Sequence, residues 1–395
     1  MFDFPKNNFQ LGRGLTSVFD LLRARAYNGI DWGGELFCVN SVVTSLRKSQ
    51  ELDKHTGCVN SPAWNESGTK LVSGSDDRSI VVWNGEPLSA CMTAPTGHRN
   101  NVFCATFVPN SGDSLFVTSA ADGCVHLLNI DTGQRCVLYD SEGTGFCFKH
   151  CMDPGNPTQT GLVTMSDGTV VRFDLRARTS VVLNVRQDLS LRQLSMGRYS
   201  APPSATAIEF NPISPEVVAL GTSTKALLLF DIRNASSCIA KVVPEFTANL
   251  SETFPGETEA VSGIAWDRRN RLIVNYCRQS VVEMDFGIIS CRGYEPVVHR
   301  VGVSDEIPRQ WIGRVNHQTF LKEVCLFGLN GSHVATGGDC GNIFIYERFG
   351  NQNLVLKQPA DPFVLNCVAP HPYLPLIASS GIAHVASVWS PTFQV

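Results

Sequence analysis

The 395-residue sequence predicts an all-β fold, a seven-bladed β-propeller with a short helical extension at its N-terminal end. Three observations predict it. A unit of strand, turn, strand, Asp-bearing turn and strand returns seven times along the chain. Thirty-three glycines and 21 prolines supply many turns, and few stretches carry a long helical period. With 43% hydrophobic and only 17% charged residues, a large buried core is within reach.

The repeat is clearest in "GCVNSPAWNESGTKLVSGSDDRSIVVWN", residues 57–84, and recurs over 100–130, 160–174, 205–231, 261–284, 323–347 and 366–389. Its third-strand position steps through Trp83, Leu128, Phe173, Phe230, Met284, Tyr346 and Trp389, separated by 45, 45, 57, 54, 62 and 43 residues. Such a spacing is the blade period of a propeller. A propeller must also close, because an unfinished terminal blade leaves an unpaired sheet edge. The run "ELFCVNSVVTSLRK", residues 35–48, is the expected closing strand, which divides the chain into an extension over 1–34 and a propeller over 35–395.

Within the first unit, Asp77 occupies a tight turn where its carboxylate can accept from backbone N–H groups and from His55. His55, Ser73, Asp77 and Trp83 resemble the hydrogen-bonded tetrad of WD40 repeats, which implies that His55 relays through Ser73 to the Trp83 indole, satisfying buried polar groups and fixing the blade. A His/Ser/Asp set invites a hydrolase reading, but its recurrence blade after blade makes it structural. The second blade keeps His98, Thr118 and Asp122 but has Leu128 for the indole. The fourth has Thr224, and the last Ala383, where Asp is expected.

The composition narrows function. A net charge of −4 leaves no Lys/Arg surplus for phosphate, so direct nucleic-acid binding is not expected. Neither a membrane span nor a secretory leader is read in the chain. Fourteen scattered cysteines with no CxxC pair point to a reducing compartment. The nearest approach to a ligand set, Cys147, His150 and Cys151 in "CFKHC", lacks two further ligands, so no metal or cofactor is expected. First strands such as "CATFVP" and "GIAWD" are mostly apolar, which argues against an enzyme with chemistry in the central channel.

Outside the blades, Leu15, Val18, Phe19 and Leu22 recur at helical spacing in "LTSVFDLLRARAY", residues 15–27, an amphipathic helix that packs on the propeller or inserts into a partner's groove. Two inserts separate blades, one from about 180 to 205 and one over 287–318. The second carries Arg292, Arg300, Arg309, Trp311 and Arg314, the Arg and aromatic character enriched at interfaces. Trp311, with Arg99, Asn100 and Asn101 of "GHRNN", is a candidate contact for a bound target.

The most informative motif is a pair. Blade three ends "RFDLRAR" and blade four "LFDIRNA", placing Asp174 with Arg176 and Asp231 with Arg233 just past the third strands of consecutive blades. In the same register the two guanidiniums would project side by side onto one face, where five planar donors suit a docking protein's carboxylates and carbonyls.

The tetrad makes the copies resemble WD40 repeats, and the paired DxR boxes resemble the adaptor-docking signature of the WD40 substrate receptors of cullin-4 RING ubiquitin ligases. "HTGCVNSPAWNESGTKLVSGSDD", "GHRNNVFCATFVPNSGD", "GGDCGNIFIYE" and "VLNCVAPHPYLPLIASSGI" are similar to the branch that includes the nuclear receptor interaction protein. The resemblance implies a non-catalytic receptor in nucleus and cytoplasm that links an unidentified target to the damaged-DNA-binding adaptor protein. It implies adaptor contacts at Asp174, Arg176, Asp231 and Arg233, with Leu15, Val18, Phe19 and Leu22 in the docking helix and the target on the opposite rim. A general WD40 interaction scaffold in transcription or signalling, without ligase attachment, is the alternative.

Overall fold

The computed structural model describes residues 40–85, 87–177, 180–188, 202–234, 238–243, 260–278, 280–286, 309–319, 322–328, 331–351 and 354–392. Within them lie seven antiparallel four-stranded sheets. Helix α1 (Asn40–Thr44) and strand β1 (Leu46–Asp53) lead into blade 1, made of β2 (Val59–Trp64), β3 (Lys70–Ser75), β4 (Ser79–Asn84) and β5 (Ser89–Pro95). Blade 2 is β6 (Val102–Phe107), β7 (Leu115–Ala120), β8 (Cys124–Asn129) and β9 (Arg135–Asp140). Blade 3 is β10 (Cys147–Met152), β11 (Thr160–Met165), β12 (Thr169–Asp174) and β13 (Ser180–Asn184). Blade 4 is β14 (Ala205–Phe210), β15 (Val217–Thr222), β16 (Leu227–Asp231) and β17 (Cys238–Val242). Blade 5 is β18 (Val261–Trp266), β19 (Arg271–Tyr276), β20 (Val281–Asp285) and β21 (Gln310–Trp311). Blade 6 is β22 (Val324–Phe327), β23 (His333–Gly337), β24 (Asn342–Glu347) and β25 (Leu354–Pro359). Blade 7 is β26 (Leu365–Pro370), β27 (Ile377–Gly381) and β28 (Val385–Pro391), completed by β1.

The first strand of each blade meets that of the next, and β26 meets β2, so the ring closes around an axis. Closure comes from β1 antiparallel to β28, with Leu46 opposite Pro391 and Asp53 opposite Val385. The expected closing run over 35–48 is therefore shifted: Asn40–Thr44 is helical, burying Val42 and Val43, and pairing begins only at Leu46. The first strand of blade 3, Cys147–Met152, lies ahead of the repeat read over 160–174, and the insert from about 180 opens with its fourth strand. All seven third-strand positions, from Trp83 to Trp389, are buried.

The hydrophobic core is divided among the junctions between blades. Leu71, Val81 and Trp83 of blade 1 pack against Ala378, Ala386 and Val388 of blade 7, and each of the other six junctions holds its own buried cluster. Because the strands alternate in direction, turns after first and third strands leave on one face, here the lower. Turns after second strands, and the links between blades, leave on the upper face.

The blade 1 tetrad sits at the upper face. Asp77 Oδ2 lies 2.8 Å from His55 Nδ1, and Oδ1 accepts from Ser79 N–H at 2.9 Å. Burial works against ionisation of Asp77, but hydrogen bonds from Ser79, Thr56 and His55 outweigh it and hold its carboxyl below the usual range. An ionised carboxylate only accepts, so His55 donates from Nδ1, and Nε2 takes the Ser73 hydroxyl proton at 2.8 Å. The Trp83 indole donates to the same Ser73 oxygen at 2.9 Å. Ser73 is fully buried between these two partners, a strut rather than a nucleophile. In blade 2 His98 bridges Asp122 and Thr118, and a second imidazole, His126, stacks on it at 3.9 Å between centroids. Blade 7 lacks the turn aspartate, yet Asp361 from the preceding link accepts from Ala383 N–H at 3.0 Å, while Trp389 still donates to Ser379. In blade 4, Thr224 accepts from Ala226 N–H and bonds Thr222 at 2.7 Å.

Histidines also join neighbouring blades. His371 accepts from Tyr373 and Leu374 N–H through Nδ1 and therefore donates Nε2–H to Gly68 O of blade 1 at 2.8 Å. Gly68 has a φ of +74°, and a Cβ there would come within 2.3 Å of the His371 ring. His150 of "CFKHC" spans blades 3 and 2, bonding Ser119 and Thr106 at 2.8 Å each, so both ring nitrogens serve the fold.

Two predictions follow from these networks. Ser73→Ala strands both His55 and Trp83 and is expected to cost about 2–3 kcal/mol, against about 1 kcal/mol for Trp83→Phe, measured by denaturant unfolding. Burial lowers His126 and His371 to about 4, His150 to about 3 and His333 to about 4, from an ordinary 6.5. Between those values and 6.5 the unfolded chain binds more protons than the native one. The stability these neutral imidazoles support is present above pH 6.5 and lost as pH falls toward 4. Melting temperature is expected to drop by several degrees from pH 7.5 to pH 5.

Candidate protein-interaction surfaces

The two DxR boxes are built alike at the lower face. β12 ends at Asp174 and β16 at Asp231, and each carboxylate accepts from the backbone N–H of the arginine two residues on, at 2.8 and 2.9 Å. This closes the turn and throws the side chain outward. Arg176 and Arg233 are 63% and 62% exposed. Arg233 forks onto its own Asp231, with Nε–Oδ1 at 2.9 Å and Nη2–Oδ2 at 2.5 Å, and this pairing holds the Asp231 carboxyl below the usual range. Arg176 instead donates to Gln159 Oε1 at 2.6 Å, with Asp174 Oδ1 3.7 Å from its Nε.

A chain of contacts ties the boxes to one continuous surface. Gln159 and Gly155 belong to the turn between β10 and β11, whose backbone accepts from Leu175 N–H. A Cβ on Gly155 would touch Pro215, in the turn between β14 and β15, at 3.4 Å. That second turn bonds the other box, Ile232 N–H donating to Glu216 O at 2.9 Å. Both arginines therefore leave adjacent blades on the same face. Leu15, Val18, Phe19 and Leu22 lie outside the described residues, but Asn40 joins this face, its Oδ1 accepting from His333 Nε2 at 2.8 Å and its Nδ2 lying 3.4 Å from Glu347.

The other candidates divide. Arg99 and Asn100 are exposed and Asn101 partly so, on the upper face, with Arg99 N–H donating to the tetrad carboxylate Asp122 at 2.7 Å. Trp311 is not an exposed loop residue. It pairs with Val281 as the fourth strand of blade 5, is 1% exposed, and donates its indole N–H to Glu347 O at 3.0 Å in blade 6. A two-residue strand followed by Ile-Gly has too little period to be read from sequence. Arg314 is likewise buried, against Asn275 and Tyr276 O, while Arg292 and Arg300 lie outside the described residues.

Sequence reading missed the ionic lining of the channel. Lys149 on β10 pairs with Glu323, just ahead of β22, and since blades 3 and 6 are not neighbours the pair spans the bore. Their side chains keep 34% and 25% exposure inside it. Glu209 on β14 is pushed up to about 8 by burial, against the pull of Lys149. The register of β10 against β11 shifts between Cys147 and His150, so strand alternation gives no signal of where Lys149 points. Among the described residues no group of three or more His, Cys, Asp or Glu is placed to hold a metal ion, no helix is long and apolar enough to cross a membrane, and the twelve described cysteines are free thiols.

Comparison with known proteins agrees with this architecture. The family model described as WD domain, G-beta repeat matches residues 46–84 and 89–129. Protein ALTERED SEED GERMINATION 2 of Arabidopsis thaliana is 33% identical over 55% of this chain and 31% of its own length. DDB1- and CUL4-associated factor 6 of Homo sapiens is 30% identical over 48% of this chain and 22% of its own length. WD and tetratricopeptide repeats protein 1 of Mus musculus is 31% identical over 48% and 27%. The chain thus spans under a third of each of these relatives. Among solved structures, the β-propeller domain of Cps50 (Swd1) from Myceliophteria thermophila superposes with a TM-score of 0.65 at 16% identity, covering 88% of this chain and 100% of that one. The chain is a seven-bladed β-propeller that carries WD40 repeats over residues 46–84 and 89–129, with sequence homology to a DDB1- and CUL4-associated factor.

Proposed function

We propose that this protein is a non-catalytic substrate receptor that attaches a target protein to a cullin-4 RING ubiquitin ligase through DDB1. The observation that carries the reading is the exposure of Arg176 and Arg233 from adjacent blades on one continuous face. It is supported by homology to a relative whose name states association with DDB1 and CUL4. Asp174 and Asp231 set the two turns and Arg176 and Arg233 contact DDB1. Asn40, the first described residue, lies on this face, and in this reading Leu15, Val18, Phe19 and Leu22 contact the same partner.

The Asp–Arg pairs do not obstruct docking. Exposed ion pairs are worth well under about 1 kcal/mol, so each guanidinium can exchange its own carboxylate for a partner's at little cost. The upper face, with Arg99, Asn100 and Asn101, remains open for the target, and ubiquitin transfer then arises from proximity, with the chemistry supplied by other subunits. Such a receptor works in nucleus and cytoplasm.

Arg176→Ala combined with Arg233→Ala is expected to lower DDB1 capture from cell lysate by at least about tenfold, since loss of a hot-spot arginine costs roughly 2 kcal/mol or more. Undiminished capture by the double variant, with its melting temperature unchanged, overturns the reading and leaves an interaction scaffold.

A further inference from the structure

The lower face carries a second feature that the boxes do not account for. In blade 5 the turn between β18 and β19 reads Asp267-Arg268-Arg269-Asn270-Arg271. Asp267 is 5% exposed and accepts from the backbone N–H groups of Arg269 and Arg271, which turns Arg268 and Arg269 outward as exposed side chains. This turn is joined to the blade 4 turn beside Arg233 by Asn211 Nδ2 donating to Asn270 Oδ1 at 3.0 Å. On its other side Asp267 accepts from Arg348 of blade 6 at 2.6 Å.

Arg348 is fully buried between Asp267 and Glu283 and fixes the residue that follows it. Phe349 is 37% exposed, and its ring lies under three guanidiniums, Arg271 at 5.1 Å, Arg348 at 5.1 Å and Arg309 at 5.9 Å. An aromatic held this way by guanidinium faces is a rigid apolar anchor, of the kind that dominates interface hot spots. A run of exposed arginines at 176, 233, 268 and 269 therefore ends at an anchored phenyl ring. Asp174 and Asp231 are tied to their own arginines, Asp267 and Glu283 are buried against Arg271 and Arg348, and the acids left on this stretch include Asp285, opposite Arg271 in register, and half-buried Glu347. The chain as a whole carries a charge of −4, so this concentration of guanidinium runs against its composition.

We infer that the docking surface extends from the DxR boxes across blade 5 to Phe349, and that its occupant is an acidic face of the ligase adaptor with an apolar recess for the phenyl ring. The inference rests on the proposed function and adds to it the partner's chemistry and the reach of the contact over four blades. Charge complementarity over such a distance acts mainly on encounter rate and salt dependence, whereas the phenyl anchor acts on dissociation.

The test measures binding of the full chain to purified DDB1 by interferometry at 50 and 250 mM salt. Arg268→Glu with Arg269→Glu is expected to weaken binding about tenfold at low salt and to flatten the salt dependence. Phe349→Ala is expected to speed dissociation about tenfold with the salt dependence unchanged. All three side chains are exposed, and an unchanged melting temperature certifies the fold. If both variants bind within twofold of wild type while Arg176→Ala with Arg233→Ala loses binding, docking is confined to the boxes and the extension is overturned. If the Arg176 and Arg233 variant also binds like wild type, the receptor reading fails, and the extension with it.

Discussion

The structure depends on one pairing, that of Leu46–Asp53 with Val385–Pro391. Three of the four strands of blade 7 come from one end of the described chain, and only β1, from the other, covers the edge of β28. Left uncovered, that edge would offer a row of unpaired N–H and C=O groups. The pairing also makes the blade junctions equivalent, since blade 7 can bury Ala378 and Val388 against Trp83 only once the ring is shut. With apolar burial distributed around the ring, the axis needs no hydrophobic filling. That is why the bore can hold Lys149, Glu209 and Glu323.

Within each blade, a constraint on the backbone outlives the residues that meet it. The turn after the second strand leaves N–H groups that must find an acceptor. Asp77 supplies one in blade 1, Thr224 in blade 4, and in blade 7 the carboxylate arrives from the preceding link as Asp361. Substitution of the tetrad aspartate is tolerable because an acceptor can come from another part of the chain. The indole donor is similarly dispensable: Leu128 leaves no N–H to satisfy, and His98 with Thr118 still forms the buried bond.

How much was legible follows from this. Third-strand positions could be read because burial between two blades admits only large apolar side chains there, and all seven fell where the period placed them. The closing strand was displaced because "NSVVT" has both the apolar content of a strand and the spacing of one helical turn, and packing of Val42 and Val43 decides between them. Trp311 was misread as an interface residue because an aromatic between Arg-rich stretches looks the same in sequence whether it caps a sheet or faces solvent. The arginines of the two boxes could be placed on one face from strand parity alone. The link from Asn270 through Asp267 to Phe349 could not, since it joins blades through side chains far apart in sequence.

The DxR box separates the turn from the guanidinium within three residues. Its aspartate accepts from the backbone N–H of the arginine, not only from the guanidinium, so the turn survives loss of the side chain. Arg348 shows the opposite arrangement. There two carboxylates surround a guanidinium with no exposure, and removing it would leave Asp267 and Glu283, both buried, to Arg271 alone. The same side chain thus serves the fold where carboxylates enclose it and stays exposed where they do not. On the lower face that difference in enclosure separates Arg176, Arg233, Arg268 and Arg269 from Arg271 and Arg348.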